Sequence, residues 1–156
     1  MDVVSYQLDI QNISSHQLHI TLSFMPECAV HQLSMPAWIP GSYMIRDFAR
    51  NIVSISAVDT DGPLELQQHD KQCWQINCRQ KHVTVTYQLY AYDMSVRAAY
   101  IDDEVAVLNP AALCLAVSGL TEKTQQISVN RPSEPIAANW RVATALTPAN
   151  NTALLD

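Results

Sequence analysis

The sequence predicts an all-β protein, an antiparallel β-sandwich with at most one or two short helical turns. Apolar and polar residues alternate with a period of two along most of the chain, as they do in strands that bury one face. Many short runs of this kind are separated by closely spaced turns, which is typical of a sandwich. No long segment carries a helical period, so an α/β nucleotide-binding fold is excluded.

The first two runs, residues 3–10 and 16–24, are joined by the polar link QNISS and predict an antiparallel hairpin. Their inward side chains are Val4, Tyr6, Leu8 and Ile10, then Leu18, Ile20, Leu22 and Phe24. Further strands are predicted at 29–35, 51–59, 64–69, 72–78, 82–91, 105–108, 112–117, 125–130 and 139–145. Their inward residues are Val53, Ile55 and Ala57, then Trp74 and Ile76, then Val83, Val85, Tyr87 and Leu89. All three glycines fall where turns are expected, after Pro40, Asp61 and Ser118.

Composition and charge limit the function classes. The chain has 156 residues, of which 48% are hydrophobic and 15% charged, which predicts one folded domain rather than a disordered segment. Its net charge is -6 and it has no basic run, so a nucleic-acid partner is not expected. No apolar run is long enough to cross a bilayer and no signal-peptide pattern is visible. We therefore expect no membrane partner and a cytoplasmic location.

No catalytic or metal-binding motif stands out in this chain. A His-Glu-x-x-His pair is absent, and the three-residue spacing of His16 and His19 predicts surface histidines on opposite faces of a strand. The four cysteines form no Cys-x-x-Cys pair, and we assign them no function. The acidic group at residues 102–104 lacks the spacing of a calcium loop and predicts a solvated loop. We expect no catalytic residue and no metal ligand here.

The stretch MPAWIPGSYMIRDFARN, residues 35–51, is the least ordinary part of the sequence. Its two prolines stiffen the backbone, and the residues 39–42 predict a type II turn. Ser42 is a candidate cap for a short helical segment whose polar face carries Arg46, Asp47 and Arg50, and the alternative is an irregular crossing between sheets. From the residues alone, a rigid corner and a docking surface built on exposed aromatic side chains both stay open.

Two segments resemble a known family. PAWIPGSYMIRDFARNI, residues 36–52, and YQLYAYDMSVRAAYIDDE, residues 87–104, are similar to the two hallmark segments of the N-terminal domain of the glycyl aminopeptidase family of zinc metallopeptidases. The resemblance implies a β-sandwich that precedes a thermolysin-like catalytic domain and a PDZ domain. The zinc cofactor and the glycyl and alanyl aminopeptidase activity would then lie in the catalytic domain. Residues 1–145 would be the N-terminal domain and 146–156 the start of the connection, so this chain alone is expected to be inactive.

The resemblance also implies which residues dock on the catalytic domain or wall the substrate cleft. These candidates for the domain interface or substrate rim are Trp38, Pro40, Gly41, Ser42, Tyr43, Arg46, Asp47, Arg50 and Arg97. An arginine at position 46 or 97 that pairs with a carboxylate across the boundary would be a polar clamp. The expected partners are the protein's own catalytic and PDZ domains and peptide substrates. The alternative is a freestanding β-sandwich module that binds a peptide or glycan.

Overall fold

The computed structural model describes residues 3–95 and 97–149, and these ranges are almost entirely strands and loops. The strands are β1 (Val3–Asn12), β2 (Gln17–Phe24), β3 (Val30–Ser34), β4 (Ile52–Asp59), β5 (Gly62–Leu64), β6 (Leu66–Asp70), β7 (Cys73–Asn77), β8 (Val83–Tyr90), β9 (Ala99–Ile101), β10 (Ala106–Leu108), β11 (Ala116–Val117) and β12 (Thr124–Asn130). Single 3₁₀ turns lie at Ile13–Ser15, Phe48–Asn51, Pro110–Ala112 and Pro135–Ala137. The predicted all-β fold is confirmed, with four helical turns in the described ranges where one or two were expected.

The strands form a six-stranded sheet, a four-stranded sheet and a small ribbon. The larger sheet has the order β12-β1-β2-β8-β4-β5, and the smaller has the order β11-β3-β7-β6. The ribbon pairs β9 with β10. Neighbouring strands are antiparallel except β12, which runs parallel to β1 because the chain reaches this edge by a crossover from the other sheet rather than by a hairpin.

One hydrophobic core lies between the two larger sheets, and the strands that alternate most regularly build it. β1 and β2 pair as the predicted hairpin, in a register that sets Leu8 opposite Ile20. All the residues predicted to point inward from β1, β2, β7 and β8 are buried. Tyr87 is 1% exposed at the centre of β8, and its hydroxyl donates to the Leu113 carbonyl at 2.7 Å.

Four of the predicted strands differ in the structure. The run predicted at 112–117 is a strand only at Ala116–Val117, because Ala112 ends the 3₁₀ turn at Pro110–Ala112. The ladder between β4 and β8 shifts its register between Ile52 and Ser54, so Val53 points to solvent while Ala57 stays buried. The run predicted at 64–69 is divided into β5 and β6, which belong to different sheets. The run predicted at 139–145 forms no strand and is mostly exposed.

Most of the predicted connection at 146–156 lies outside the described residues, so the predicted boundary at 145 stays a prediction. Within the described ranges, no helix has the length and apolar character needed to cross a bilayer.

Candidate functional site

The turn at Ile39–Ser42 matches the type II prediction. The Ser42 N–H donates to the Ile39 carbonyl at 3.2 Å. Gly41 has a φ of +84°, which residues with a Cβ adopt only with strain, and Pro40 supplies the fixed φ that the preceding position prefers. Both residues are exposed, so the turn presents its tip to solvent.

After this turn the chain makes an irregular crossing, and the predicted helical segment that begins at Ser42 is wrong. The N–H groups of Arg46 and Asp47 both donate to the Ala37 carbonyl, at 2.7 and 3.1 Å, which folds the chain back on itself. Asp47 has a φ of +47°, in the left-handed region, and this interrupts a right-handed helix. Only Phe48–Asn51 forms a helical turn. The irregular crossing, the alternative that the sequence left open, is correct.

Ser42 organises the crossing instead of capping a helix. Its side chain is buried, and its hydroxyl donates to the Met44 carbonyl at 2.8 Å and accepts from Arg46 Nε at 3.3 Å. The indole Nε1 of Trp38 donates to the Ser42 carbonyl at 2.8 Å. This hydrogen bond fixes the Trp38 ring, and about half of the side chain stays exposed to solvent.

A continuous apolar ridge projects from this crossing. Tyr43, Met44 and Ile45 are consecutive and exposed, and the Tyr43 side chain is in full contact with solvent. We call these three residues the 43–45 ridge. Phe48 and Ala49, which follow, are buried and fix the ridge to the core. Consecutive exposed apolar residues on an anchored base are typical of an interface.

Arg97 joins the two segments that the sequence singled out. Its Nη2 donates to the Gly41 carbonyl at 2.9 Å, across 56 positions of sequence. Arg97 lies between Tyr92 and Tyr100, which pair in an isolated antiparallel bridge. The second segment therefore reaches the turn of the first through one guanidinium.

The second segment carries an aromatic stack at its base. The rings of Tyr92 and Tyr100 are 5.2 Å apart and nearly parallel, and the His16 ring is 4.0 Å from Tyr92. His16 Nδ1 lies 2.6 Å from the Ile101 carbonyl oxygen, to which it donates. His16 is thus half buried and bonded rather than the surface histidine that its spacing predicted.

The acidic group at 102–104 supports this stack and forms a structured loop. The Tyr100 hydroxyl donates to Asp102 Oδ2 at 2.8 Å, and the N–H groups of Glu104 and Val105 donate to Asp102 Oδ1 at 2.8 Å. The hydrogen bond from Tyr100 is the main reason that the pKa of Asp102 lies below its ordinary value. The same bond raises the pKa of Tyr100 to about 12.

We expect the NMR signal of Tyr100 to titrate near pH 12 in the unmodified chain. In the Asp102→Asn variant, the signal of Tyr100 should titrate at lower pH. The unfolded tyrosine ionises near pH 10, so this bond stabilises the fold below pH 10, and the contribution disappears as the pH rises towards 12. Asp103→Asn is the matched control and should leave the titration unchanged. A Tyr100 titration near pH 10 in the unmodified chain would contradict the assignment.

The charged candidates lie on the same connected surface. Lys71 Nζ lies 4.0 Å from Asp47 Oδ2, at the outer limit of an ion pair. Within the described part of the chain, Arg46, Arg50 and Arg97 have no carboxylate partner. The described residues also contain no group of three or more His, Cys, Asp or Glu side chains placed to hold a metal ion. In the described ranges the surface therefore presents unpaired arginine side chains beside exposed apolar ones.

One buried polar residue, His31, was missed by the sequence analysis. His31 is 1% exposed, and its Nδ1 donates to the Ser118 carbonyl at 2.8 Å while its Nε2 accepts from the Glu27 N–H at 3.2 Å. It shares the inner face of β3 with Leu33, so the alternation of that strand was the available signal. Both ring nitrogens are used within the fold, which makes His31 a structural residue.

A family model and one solved structure relate this chain to peptidases. The family model described as Peptidase M61 N-terminal domain matches residues 5–155. The structure is similar to an aminopeptidase N family protein from Idiomarina loihiensis, with 34% identity, a TM-score of 0.88 and 96% of this chain covered. The chain spans 25% of that protein's length. An M1 zinc metallopeptidase from Deinococcus radiodurans gives 8% identity, a TM-score of 0.39 and coverage of 64% of this chain and 23% of its own. No curated protein sequence matches significantly.

Proposed function

Because the chain belongs to the family of peptidase M61 N-terminal domains, we propose that it is the non-catalytic β-domain of a zinc-dependent aminopeptidase and docks on the catalytic domain that follows. The likeness to the Idiomarina loihiensis protein supports the peptidase context, and the chain spans 25% of that protein. The two hallmark-like segments support the glycyl and alanyl preference and the presence of a PDZ domain further along. The cytoplasmic location stays a prediction.

The chemistry of the proposed enzyme belongs outside this chain. A zinc-bound water and a glutamate general base would remove the N-terminal residue of a peptide. The described residues do not fit the zinc, since they bring no three metal-binding side chains together. We therefore propose that zinc binds in the catalytic domain and that no residue of this chain takes part in the chemical step.

The observation that carries the proposal is the hydrogen bond between Arg97 and the Gly41 carbonyl. It connects both segments into one surface, on which the 43–45 ridge and the half-exposed Trp38 supply apolar contact area. Arg46 and Arg97 each use one donor within the domain, on Ser42 and Gly41, and a guanidinium has five N–H donors. Both arginines keep donors for the proposed polar clamp across the domain boundary. A peptide held beside this surface would meet a wall that excludes interior stretches of polypeptide.

The Tyr43→Ala variant tests the docking proposal. In the isolated chain we expect the free energy of unfolding to change by no more than about 0.5 kcal/mol, because the Tyr43 side chain contacts only solvent there. We call this chain together with the proposed catalytic domain the long protein. There, truncating an anchor of the interface should lower the free energy of unfolding by about 2 kcal/mol or more. Thermal unfolding of both proteins measures the difference.

Val142→Ala is the control for this comparison, since Val142 is an exposed apolar residue outside both segments. It should change neither protein. Docking through the 43–45 ridge is refuted if Tyr43→Ala leaves both the unfolding of the long protein and its activity unchanged.

A further inference from the structure

An open depression of about 420 Å³ lies beside the 36–52 segment. One wall carries Arg50, on the 3₁₀ turn at Phe48–Asn51. The other wall is the hairpin of β6 and β7, which contributes Gln68, Lys71 and Gln72. The Met35 N–H donates to the Gln72 carbonyl at 3.0 Å and holds the hairpin against the start of the segment. We call this depression the Arg50 pocket.

The Arg50 pocket is rich in hydrogen-bond donors that the fold leaves unused. Across the described ranges, the side chains of Arg50, Gln68 and Gln72 have no hydrogen-bond partner, and the Arg50 guanidinium has no ion pair. The one carboxylate in the lining belongs to Asp47, and it lies 4.0 Å from Lys71. Two cations and one carboxylate leave the pocket with a net charge of +1.

This excess is unusual in a chain with nine cationic and fifteen acidic residues. Elsewhere in the described part of the chain, four arginines (Arg46, Arg97, Arg131 and Arg141) have no carboxylate partner, and three cations pair with nearby carboxylates. These pairs are Arg79 with Asp59, Lys81 with Asp61 and Lys123 with Glu27. Of the unpaired arginines, Arg46, Arg97 and Arg131 donate hydrogen bonds within the fold. Within the described ranges the Arg50 side chain donates none, and it lines the depression together with Lys71. A carboxylate from outside the domain would complement the positive charge of this lining.

We propose that the Arg50 pocket binds one carboxylate side chain of the catalytic domain, an inference that rests on the proposed function. The planar guanidinium of Arg50 matches a carboxylate in two parallel hydrogen bonds, and Lys71 supplies a second positive charge beside it. Gln68 and Gln72 add neutral N–H donors. The Asp47 carboxylate repels a second anion, so the pocket takes a single carboxylate rather than a phosphate-rich ligand.

This assignment differs from the clamp at Arg46 and Arg97 in one physical respect. Those two arginines already donate to Ser42 and Gly41, so part of their donor geometry is set by the fold. Arg50 has its whole guanidinium free for bidentate pairing, and the pocket walls limit where the carboxylate can sit. The Arg50 pocket therefore fixes the position of the docked domain, while the 43–45 ridge supplies apolar area.

Amide hydrogen exchange tests the inference. We expect residues 47–52 and 68–72 to exchange at least about tenfold more slowly in the long protein than in the isolated chain. The Arg50→Gln, Lys71→Gln double variant of the long protein should lose this protection. The same double variant of the isolated chain should keep its unfolding midpoint, which shows that it folds. Arg141→Gln, an exposed arginine outside the pocket, should leave the protection intact.

Three outcomes would overturn the inference. The first is equal exchange in the isolated chain and the long protein, and the second is protection that survives the double substitution. The third is protection of the isolated chain by the peptide Gly-Ala-Ala but not by its C-terminal amide, since the carboxylate would then come from a bound peptide. Zinc content and peptidase activity are measured on the same long protein. An active zinc enzyme without the protection rejects only this inference, whereas a protein with neither zinc nor activity rejects the proposed function.

Discussion

Replacing Tyr87 by alanine is expected to destabilise the isolated chain by about 3–5 kcal/mol. The ring is fully buried in the shared core, so its removal leaves a large cavity. Its hydroxyl donates to the Leu113 carbonyl at 2.7 Å and accepts from the Leu115 N–H at 3.3 Å. The nearby Tyr6 hydroxyl donates to the Leu115 carbonyl at 2.8 Å. Two buried tyrosines thus bind the backbone of 113–115, which connects the chain to β11.

Tyr87→Phe separates the hydroxyl from the ring. It keeps the volume but leaves the Leu113 carbonyl without its donor in a buried site, which should cost about 1–3 kcal/mol. Tyr43→Phe is the control, because the Tyr43 ring is fully exposed, and we expect a change within about 0.5 kcal/mol. Urea unfolding measures all three variants. If Tyr87→Phe were as stable as the unmodified chain, the buried hydrogen bond would not contribute as described.

The strands that cross the centre of the larger sheet could be predicted from sequence. β1 as far as Ile10, and β2 and β8 along their whole length, have one face in the core, so each buried position carries an apolar residue and the period of two is unbroken. The same condition explains why Trp74 and Ile76 were assigned inward on β7. Local burial on one face is the information that a single sequence records most directly.

Strands at irregular places could not be predicted in the same way. The bulge between Ile52 and Ser54 reverses the faces within β4, and the alternation before it and after it cannot reveal such a shift. The change of sheet between β5 and β6 occurs within an apparently continuous run. β9 is three residues long and buried throughout, so it shows no alternation to detect.

The candidate surface was predicted in composition but not in geometry. The prolines and Gly41 predicted the turn, because each has a strong local conformational preference. The contact between Arg97 and Gly41 joins residues 56 positions apart, and spacing carries no information about such a pair. The Arg50 pocket likewise depends on the β6–β7 hairpin packing beside the 3₁₀ turn. His31 was detectable in principle, from its position two residues before Leu33 on the buried face of β3.

Peptidase activity is expected to be all or none. The proposed long protein should hydrolyse a glycyl chromogenic anilide, whereas the chain of 156 residues alone should not. The described residues of the chain offer no grouped metal ligands, and the proposed zinc-bound water and general base belong to the catalytic domain. A metal chelator should abolish the activity of the long protein, and added zinc should restore it.

Hydrolysis of the glycyl anilide by the long protein and by the chain alone, each with and without chelator, is the most direct test of the account. The account predicts chelator-sensitive hydrolysis by the long protein alone. Hydrolysis by the isolated chain would contradict the assignment of the catalytic groups to the downstream domain. A long protein with neither hydrolysis nor bound zinc would contradict the aminopeptidase proposal and favour a freestanding β-sandwich that binds a peptide or glycan.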